Sequence, residues 1–218
     1  MPTEHHLKIP RSARYYTLGD EVHEPAELWI ACHGYGQLAE RFLARLAPLD
    51  DGRRLIVAPE GLSRFYVAGS GGPDSKVGAS WMTREDRLRE TEDYVAYLDA
   101  VHDEVAGRSD RTGARLRVLG FSQGAATAAR WALRARARVD RLILWAGLLP
   151  PEIEPRVEAD RLNTLDLVVV AGDQDEWVTA GLSIMTAALE EAGVRYRLIT
   201  FDGGHALDEV TLRRLAEI

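Results

Sequence analysis

Cysteine occurs once in the chain, at Cys32. A single thiol excludes an internal disulfide and a zinc site built on cysteines. It lies in an apolar run, where a small core residue is the expected role rather than a nucleophile. Lysine is nearly as scarce, standing only at Lys8 and Lys76, so arginine carries almost all the positive charge. That charge is not in surplus: the formal net charge is −7, which argues against nucleic acid and against anionic membrane surfaces as partners. No apolar run approaches the length of a membrane span. The first residues, Met1-Pro-Thr-Glu-His-His-Leu-Lys8, lack the apolar centre of a signal peptide, so a cytoplasmic location is expected. No clustered ligand set suggests a metal, and no glycine pattern suggests a dinucleotide: Gly69-Ser-Gly-Gly72 has the wrong spacing and opens no helix. Internal repeats and linkers are also missing. The 218 residues, 46% hydrophobic, are therefore expected to form a single domain over 1–218 with a substantial core.

What the chain does have is centred on Arg117-Val-Leu-Gly-Phe-Ser122-Gln123-Gly124. A short apolar run enters Gly-x-Ser-x-Gly, and Ala125 to Ala132 follow as an alanine-rich helix. Strand, sharp turn and helix form the context in which this pattern is a nucleophile elbow. Gly120 and Gly124 allow the close approach of strand and helix that such a turn imposes.

Strand and helix patterns alternate around it. Residues 14–18 read as a weak edge strand, and Glu27–Cys32, Arg54–Pro59, Arg141–Gly147, Leu165–Ala171 and Arg195–Phe201 as strands. Their apolar runs suit parallel strands covered on both faces. Helical spacing recurs from Leu38 to about residue 48, over Glu85–Ala106 with Leu88, Val95, Leu98, Val101 and Val105 as its stripe, through Leu182, Met185, Ala188 and Leu189 to an end at Gly193, and from Leu207 to Ile218. The pattern predicts an α/β fold with a mostly parallel sheet. Two stretches lie outside it: a glycine- and serine-rich loop, 60–81, and a proline- and acid-rich excursion, 148–160. A loop as long as the first is usually functional.

A serine hydroxyl needs a base, and the base needs an orienting acid. On a parallel sheet these converge from loops at the carboxyl ends of the strands, in the order serine, acid, histidine. Of the six histidines, His205 follows the last strand directly and is the candidate base. The acid belongs after the penultimate strand, where Asp175 is preferred to Asp173, which could close the turn instead. The oxyanion needs two N–H donors. Gln123 supplies one, and Gly34-Tyr35-Gly36 the other, with Tyr35 preferred to Gly34 and His33 bracing the loop. Tyr66, Trp81, Leu148 and Trp177 are candidate substrate-binding residues around an acyl pocket, although aromatics of this size are as often core.

In chain order, His33-Gly34-x-Gly36, Pro59, Ser80-Trp81, Gly120-Phe-Ser-Gln-Gly124, Gly172-Asp-x-Asp175-x-x-Val178 and Gly204-His205 resemble the phospholipase/carboxylesterase family of α/β-hydrolases, which includes bacterial carboxylesterases and acyl-protein thioesterases. The resemblance runs from about residue 28 to 210. It implies an α/β-hydrolase fold, no cofactor, and Ser122, Asp175 and His205 as a catalytic triad. Ala125 stands where many members have a second glycine, and Glu176 where proline is frequent. The expected activity is hydrolysis of small or medium acyl esters. A thioesterase or lysophospholipase with the same triad is the first alternative, and a non-catalytic binding scaffold the second. The expected partner is a small-molecule ester or thioester, and the sequence is compatible with a homodimer.

Overall fold

The alternation of strand and helix holds along the computed structural model, which describes residues 1–19, 24–67, 74–108 and 113–217. The elements are β1 (Tyr15–Leu18), β2 (Glu27–Cys32), α1 (Ala39–Arg45) with a 3₁₀ turn at Ala47–Leu49, β3 (Arg54–Pro59), β4 (Ser63–Tyr66), β5 (Val77–Ser80), α2 (Arg87–Ala106), β6 (Arg115–Phe121), α3 (Gln123–Arg134), β7 (Arg141–Trp145), α4 (Pro155–Leu162), β8 (Asp166–Gly172), α5 (Thr179–Glu191), β9 (Tyr196–Phe201) and α6 (Glu209–Glu217). Seven strands form one sheet in the order β1-β3-β2-β6-β7-β8-β9. Only β1 runs antiparallel to its neighbour. This is an α/β-hydrolase arrangement, with the elbow strand β6 at its centre. Among the described residues no helix is long and apolar enough to cross a membrane.

The apolar runs of β2, β3, β6, β7 and β8 alternate between two cores. Leu28, Ile30, Val118, Leu144 and Val169 pack with Tyr94, Leu98, Trp131 and Leu189 on one face. Trp29, Ile56, Leu119, Ile143 and Val168 pack with Phe42 of α1 and with Leu212 and Leu215 of α6 on the other. The stripe of α2 departs from its sequence reading. Leu88 is exposed, and the buried positions are Thr91, Tyr94, Leu98, Val101 and Val105. Spacing alone places Leu88 near the stripe, but the helix begins at Arg87 and its first turn overhangs the core.

The 60–81 stretch is more ordered than its composition predicts. β4 and β5 pair as an antiparallel hairpin, from Ser63↔Ser80 to Tyr66↔Val77. Residues 68–73 lie outside the described part. The 148–160 excursion contains the first turns of α4 and is pinned at Glu152, which accepts a 2.5 Å hydrogen bond from buried Arg130 of α3.

At the amino ends of the strands, buried Glu27 accepts hydrogen bonds from Arg54 Nε at 2.9 Å, Arg117 Nη2 at 2.8 Å and Trp29 Nε1 at 3.0 Å. Burial pushes this carboxyl up, but the hydrogen bonds from Arg54, Trp29 and Arg117 outweigh it and bring its pKa from 4.5 down to about 2. A carboxyl lowered in the folded state adds stability above its unfolded pKa and loses it as pH falls through the folded one. Glu27→Gln should therefore cost about 3 kcal/mol at pH 7, a gap that closes between pH 4.5 and 2. Denaturant titrations of both proteins across that pH range check it; a gap independent of pH would contradict it.

Candidate active site

The site is assembled at the carboxyl ends of β2, β6, β8 and β9. Ser122 joins β6 to α3 with φ 55 and ψ −118, a conformation that costs a non-glycine residue about 1–3 kcal/mol. Two hydrogen bonds hold it: its N–H donates to Trp145 O at 2.9 Å, and its carbonyl accepts from Ala125 N at 2.9 Å. The flanking glycines are sterically required. A Cβ at Gly120 would lie 2.1 Å from Gly124 O, and one at Gly124 would lie 2.1 Å from Cys32 O. Ala125, where a second glycine is frequent, is accommodated because Gly147 faces it; a Cβ at Gly147 would sit 2.5 Å from Ala125 Cβ.

Ser122 Oγ lies 2.9 Å from His205 Nε2, and His205 Nδ1 lies 2.8 Å from Asp175 Oδ2. Asp175 is 1% exposed, and its other oxygen accepts from Trp177 N–H at 3.0 Å. An acceptor on Nδ1 places the neutral ring's proton there and leaves the Nε2 lone pair facing the hydroxyl. Asp173 has a different task. It is exposed, and its Oδ1 accepts from Gly203 N–H at 3.1 Å, tying the acid loop to the histidine loop. Gly172 permits that contact, since a Cβ there would meet Gly203 O at 2.2 Å.

The structure also separates Tyr35 from Gly34. The Gly34 N–H is taken by Gln37 Oε1 at 2.8 Å, whereas among the described residues no acceptor meets the Tyr35 N–H. The Gln123 N–H is the first of α3, one of the donors a helix leaves without an internal acceptor. His33 orients the Tyr35 donor. Its Nδ1 lies 2.8 Å from Gly34 O, and its Nε2 accepts from Gly61 N–H at 2.9 Å. Those partners place the proton on Nδ1. The Gly34 carbonyl belongs to the same planar peptide as the Tyr35 N–H, so holding one aims the other. His33 is fully buried, and burial lowers its pKa, which keeps this neutral tautomer in place.

β5 and the residues just after it brace both candidate donors. Gly36 N–H donates to Ala79 O at 2.9 Å, and Ala79 N–H to Gln37 O at 3.0 Å. The Gln123 side chain receives Trp81 N–H at 3.2 Å and donates to Met82 O at 2.9 Å. Trp81 is 1% exposed, lies tilted with its ring 5.0 Å from that of His33 and donates its indole N–H to His33 O at 2.8 Å. The sequence reading of Trp81 as a pocket wall is thereby corrected: it is a core residue packed on His33 and does not line the cavity at the serine. Tyr66 is exposed on β4 and does not line the cavity at the serine. Tyr35 stacks on Phe65 at 5.0 Å with its own ring exposed.

The cavity at Ser122 and His205 measures about 290 Å³ and is walled by Ala146, Gly147, Leu148, Trp177 and Val178. Of the candidate substrate-binding residues, Leu148 and Trp177 line this cavity. Ala146, with φ 48, and Val178 escaped the sequence reading. Neither a small apolar residue after a strand nor a valine before a helix carries a signal of its own. A larger cleft, about 730 Å³, opens at the opposite ends of the strands. There Arg54, Arg115 and Arg117 are paired with Glu27, and no nucleophile lines it.

A family model described as "Serine hydrolase (FSH1)" matches residues 30–208. No curated protein matches the chain. Among solved structures, esterase PE8 is similar at 22% identity and TM-score 0.69, covering 95% of this chain and 97% of that one. A carboxylesterase from Mesorhizobium loti is similar at 19% identity and TM-score 0.70, covering 94% of each. A phospholipase/carboxylesterase from Dyadobacter fermentans is similar at 16% identity and TM-score 0.62, covering 97% and 99%. The last carries the family name that the motifs resemble. At these identities the likeness shows the shared fold.

Two substitutions separate the roles assigned to the acids. Asp175→Asn should reduce kcat by about 10⁴-fold, as loss of the base's orienting carboxylate does elsewhere. Asp173→Asn should leave kcat within about 10-fold and Tm little changed, because the amide oxygen can still accept from Gly203 N–H and the base's partner is untouched. Steady-state kinetics with a melting curve for each mutant decide this, and the reverse ranking would move the acid to Asp173. His33→Ala should lower kcat by about 10-fold or more with KM little changed, equally for short and long acyl substrates, because it disturbs one oxyanion donor. A loss confined to long substrates would place His33 in acyl binding instead.

Proposed function

Because the chain belongs to the serine hydrolase (FSH1) family, we propose that it is a carboxylesterase that cleaves esters of small or medium acyl chains through an acyl-enzyme intermediate. The observation that carries this reading is the unbroken contact from Ser122 Oγ through His205 to buried Asp175, set on a strained elbow. Ser122 Oγ attacks the ester carbonyl while His205 Nε2 takes its proton. Asp175 holds the ring by its Nδ1–H and stabilises the imidazolium. The carbonyl oxygen becomes an oxyanion between the N–H groups of Tyr35 and Gln123. His205 then protonates the departing alcohol, and water, activated by the same ring, releases the acid.

The cavity supports the acyl range. Its volume, about 290 Å³, is at the lower edge of ligand pockets, which run from about 300 to 1,000 Å³. Apart from the serine, the histidine and the Trp177 indole, its walls are aliphatic or backbone. A thioester meets the same groups and is cleaved by the same steps, with a thiol leaving.

Ser122→Ala should fold as the wild type and lose about 10⁴-fold or more in kcat toward p-nitrophenyl acetate and butyrate. The measurement is made beside a matched acyl thioester. Near-normal turnover by the folded mutant would end the serine-esterase reading, and a kcat/KM higher for the thioester would make the protein a thioesterase.

A further inference from the structure

Helix α5 is largely apolar yet poorly covered. No charged residue occurs between Trp177 and Leu189, and within the helix only Met185 and Leu189 are buried. Trp177 is 84% exposed and Ile184 is 73% exposed, both high for large apolar side chains. Residues 175–178 already turn toward the helix, with Thr179 N–H donating to Asp175 O at 3.1 Å and Leu182 N–H to Val178 O at 2.8 Å. Positions 177, 181, 184 and 188 then follow helical spacing and share one side.

That side is continuous with the catalytic cavity. At Gly181 the absent side chain is replaced by Leu148, whose Cδ1 lies 2.3 Å from where a Cβ would stand. Leu148 and Trp177 both wall the cavity of Ser122. The cavity therefore opens between two residues that begin the uncharged strip. From Trp177 to Ile184 the helical rise gives about 10 Å of surface. Glu176 before the strip, and Glu190 and Glu191 after it, mark its ends. A charged occupant would find no counter-charge along it; a hydrocarbon chain would be in contact throughout.

We infer that the acyl chain of a medium-length ester leaves the cavity between Leu148 and Trp177 and lies along this side of α5, with Ile184 the residue that selects for the carbons beyond the cavity. The inference rests on the esterase reading and names its substrate class: esters whose acyl chain is longer than the cavity holds. Short esters use the cavity alone and do not reach Ile184.

The test compares p-nitrophenyl acetate with p-nitrophenyl octanoate on wild type, Ile184→Glu and Ile184→Ala. Ile184 is exposed and outside the catalytic contacts, so both variants should melt with the wild type. With Ile184→Glu, kcat/KM for the octanoate should fall by about 10-fold or more while the acetate stays within about twofold, and Ile184→Ala should show a smaller loss of the same kind. Equal change for both esters, or no change for either, would overturn the proposal. So would a wild-type dimer, seen by analytical ultracentrifugation, that Ile184→Glu dissociates while the two esters change alike; the strip would then be a homodimer interface. Ser122→Ala run alongside keeps the two readings apart. Acetate hydrolysis that survives in it removes the esterase reading itself, whereas loss of hydrolysis there with no chain-length effect at Ile184 removes only this inference.

Discussion

The close approach of α3 to the ends of β6 and β2 is the constraint on which the site depends. Gly120 and Gly124 leave no room for a side chain between elbow strand, helix and the Cys32 carbonyl. That approach holds Ser122 at a positive φ and sets its hydroxyl 2.9 Å from His205. It also puts the first N–H of α3 beside the loop that follows β2. The candidate nucleophile and the N–H of Gln123 are thus fixed by one packing contact, whose strain is met by the buried sheet around it.

Around that contact, the polar groups of the site are held by neighbours more rigid than themselves. Asp175 is buried and bonded to the Trp177 N–H, so its second oxygen points at His205. His33 has a carbonyl on one nitrogen and an N–H on the other, which leaves one tautomer and one ring orientation. The β4–β5 hairpin joins the oxyanion loop through Ala79 and the elbow through the Gln123 amide. Preorganised donors of this kind cost no reorganisation when charge develops on the substrate oxygen.

Binding is arranged differently. The catalytic groups are tied down, while the cavity wall is made of small or apolar groups, Ala146, Gly147, Leu148 and Val178, with an exposed indole at its edge. Such a wall contributes area rather than direction, so discrimination among acyl chains is expected to be gradual, growing with each methylene in contact. Family membership makes the chain a serine hydrolase.

Local patterns in the sequence determine a good deal here. Apolar runs separated by helical spacing specify an α/β sheet, because burial on both faces and a period of 3.6 leave marks that need no tertiary information. The serine is legible from its glycines, and His205 from its place directly after the last strand. Other assignments depend on contacts distant in the chain, which no local pattern records. Asp173 and Asp175 differ by two positions, and only the packing of β8 against the 202–205 loop turns one toward Gly203 and the other toward His205. Trp81 and Trp177 are the same residue type beside equally plausible loops. One is buried between His33 and Tyr94 of α2, and the other projects at the cavity mouth, because α2 packs over the residue that follows β5 and nothing covers the indole before α5 among the described residues. The hairpin within 60–81 is hidden by its glycines and serines, since its order comes from pairing with Gly36 and Gln37 rather than from strand propensity. Composition and spacing decide which groups the chain can offer at the ends of its strands; which of them meet is decided by the close packing of strands and helices brought together from far apart in sequence.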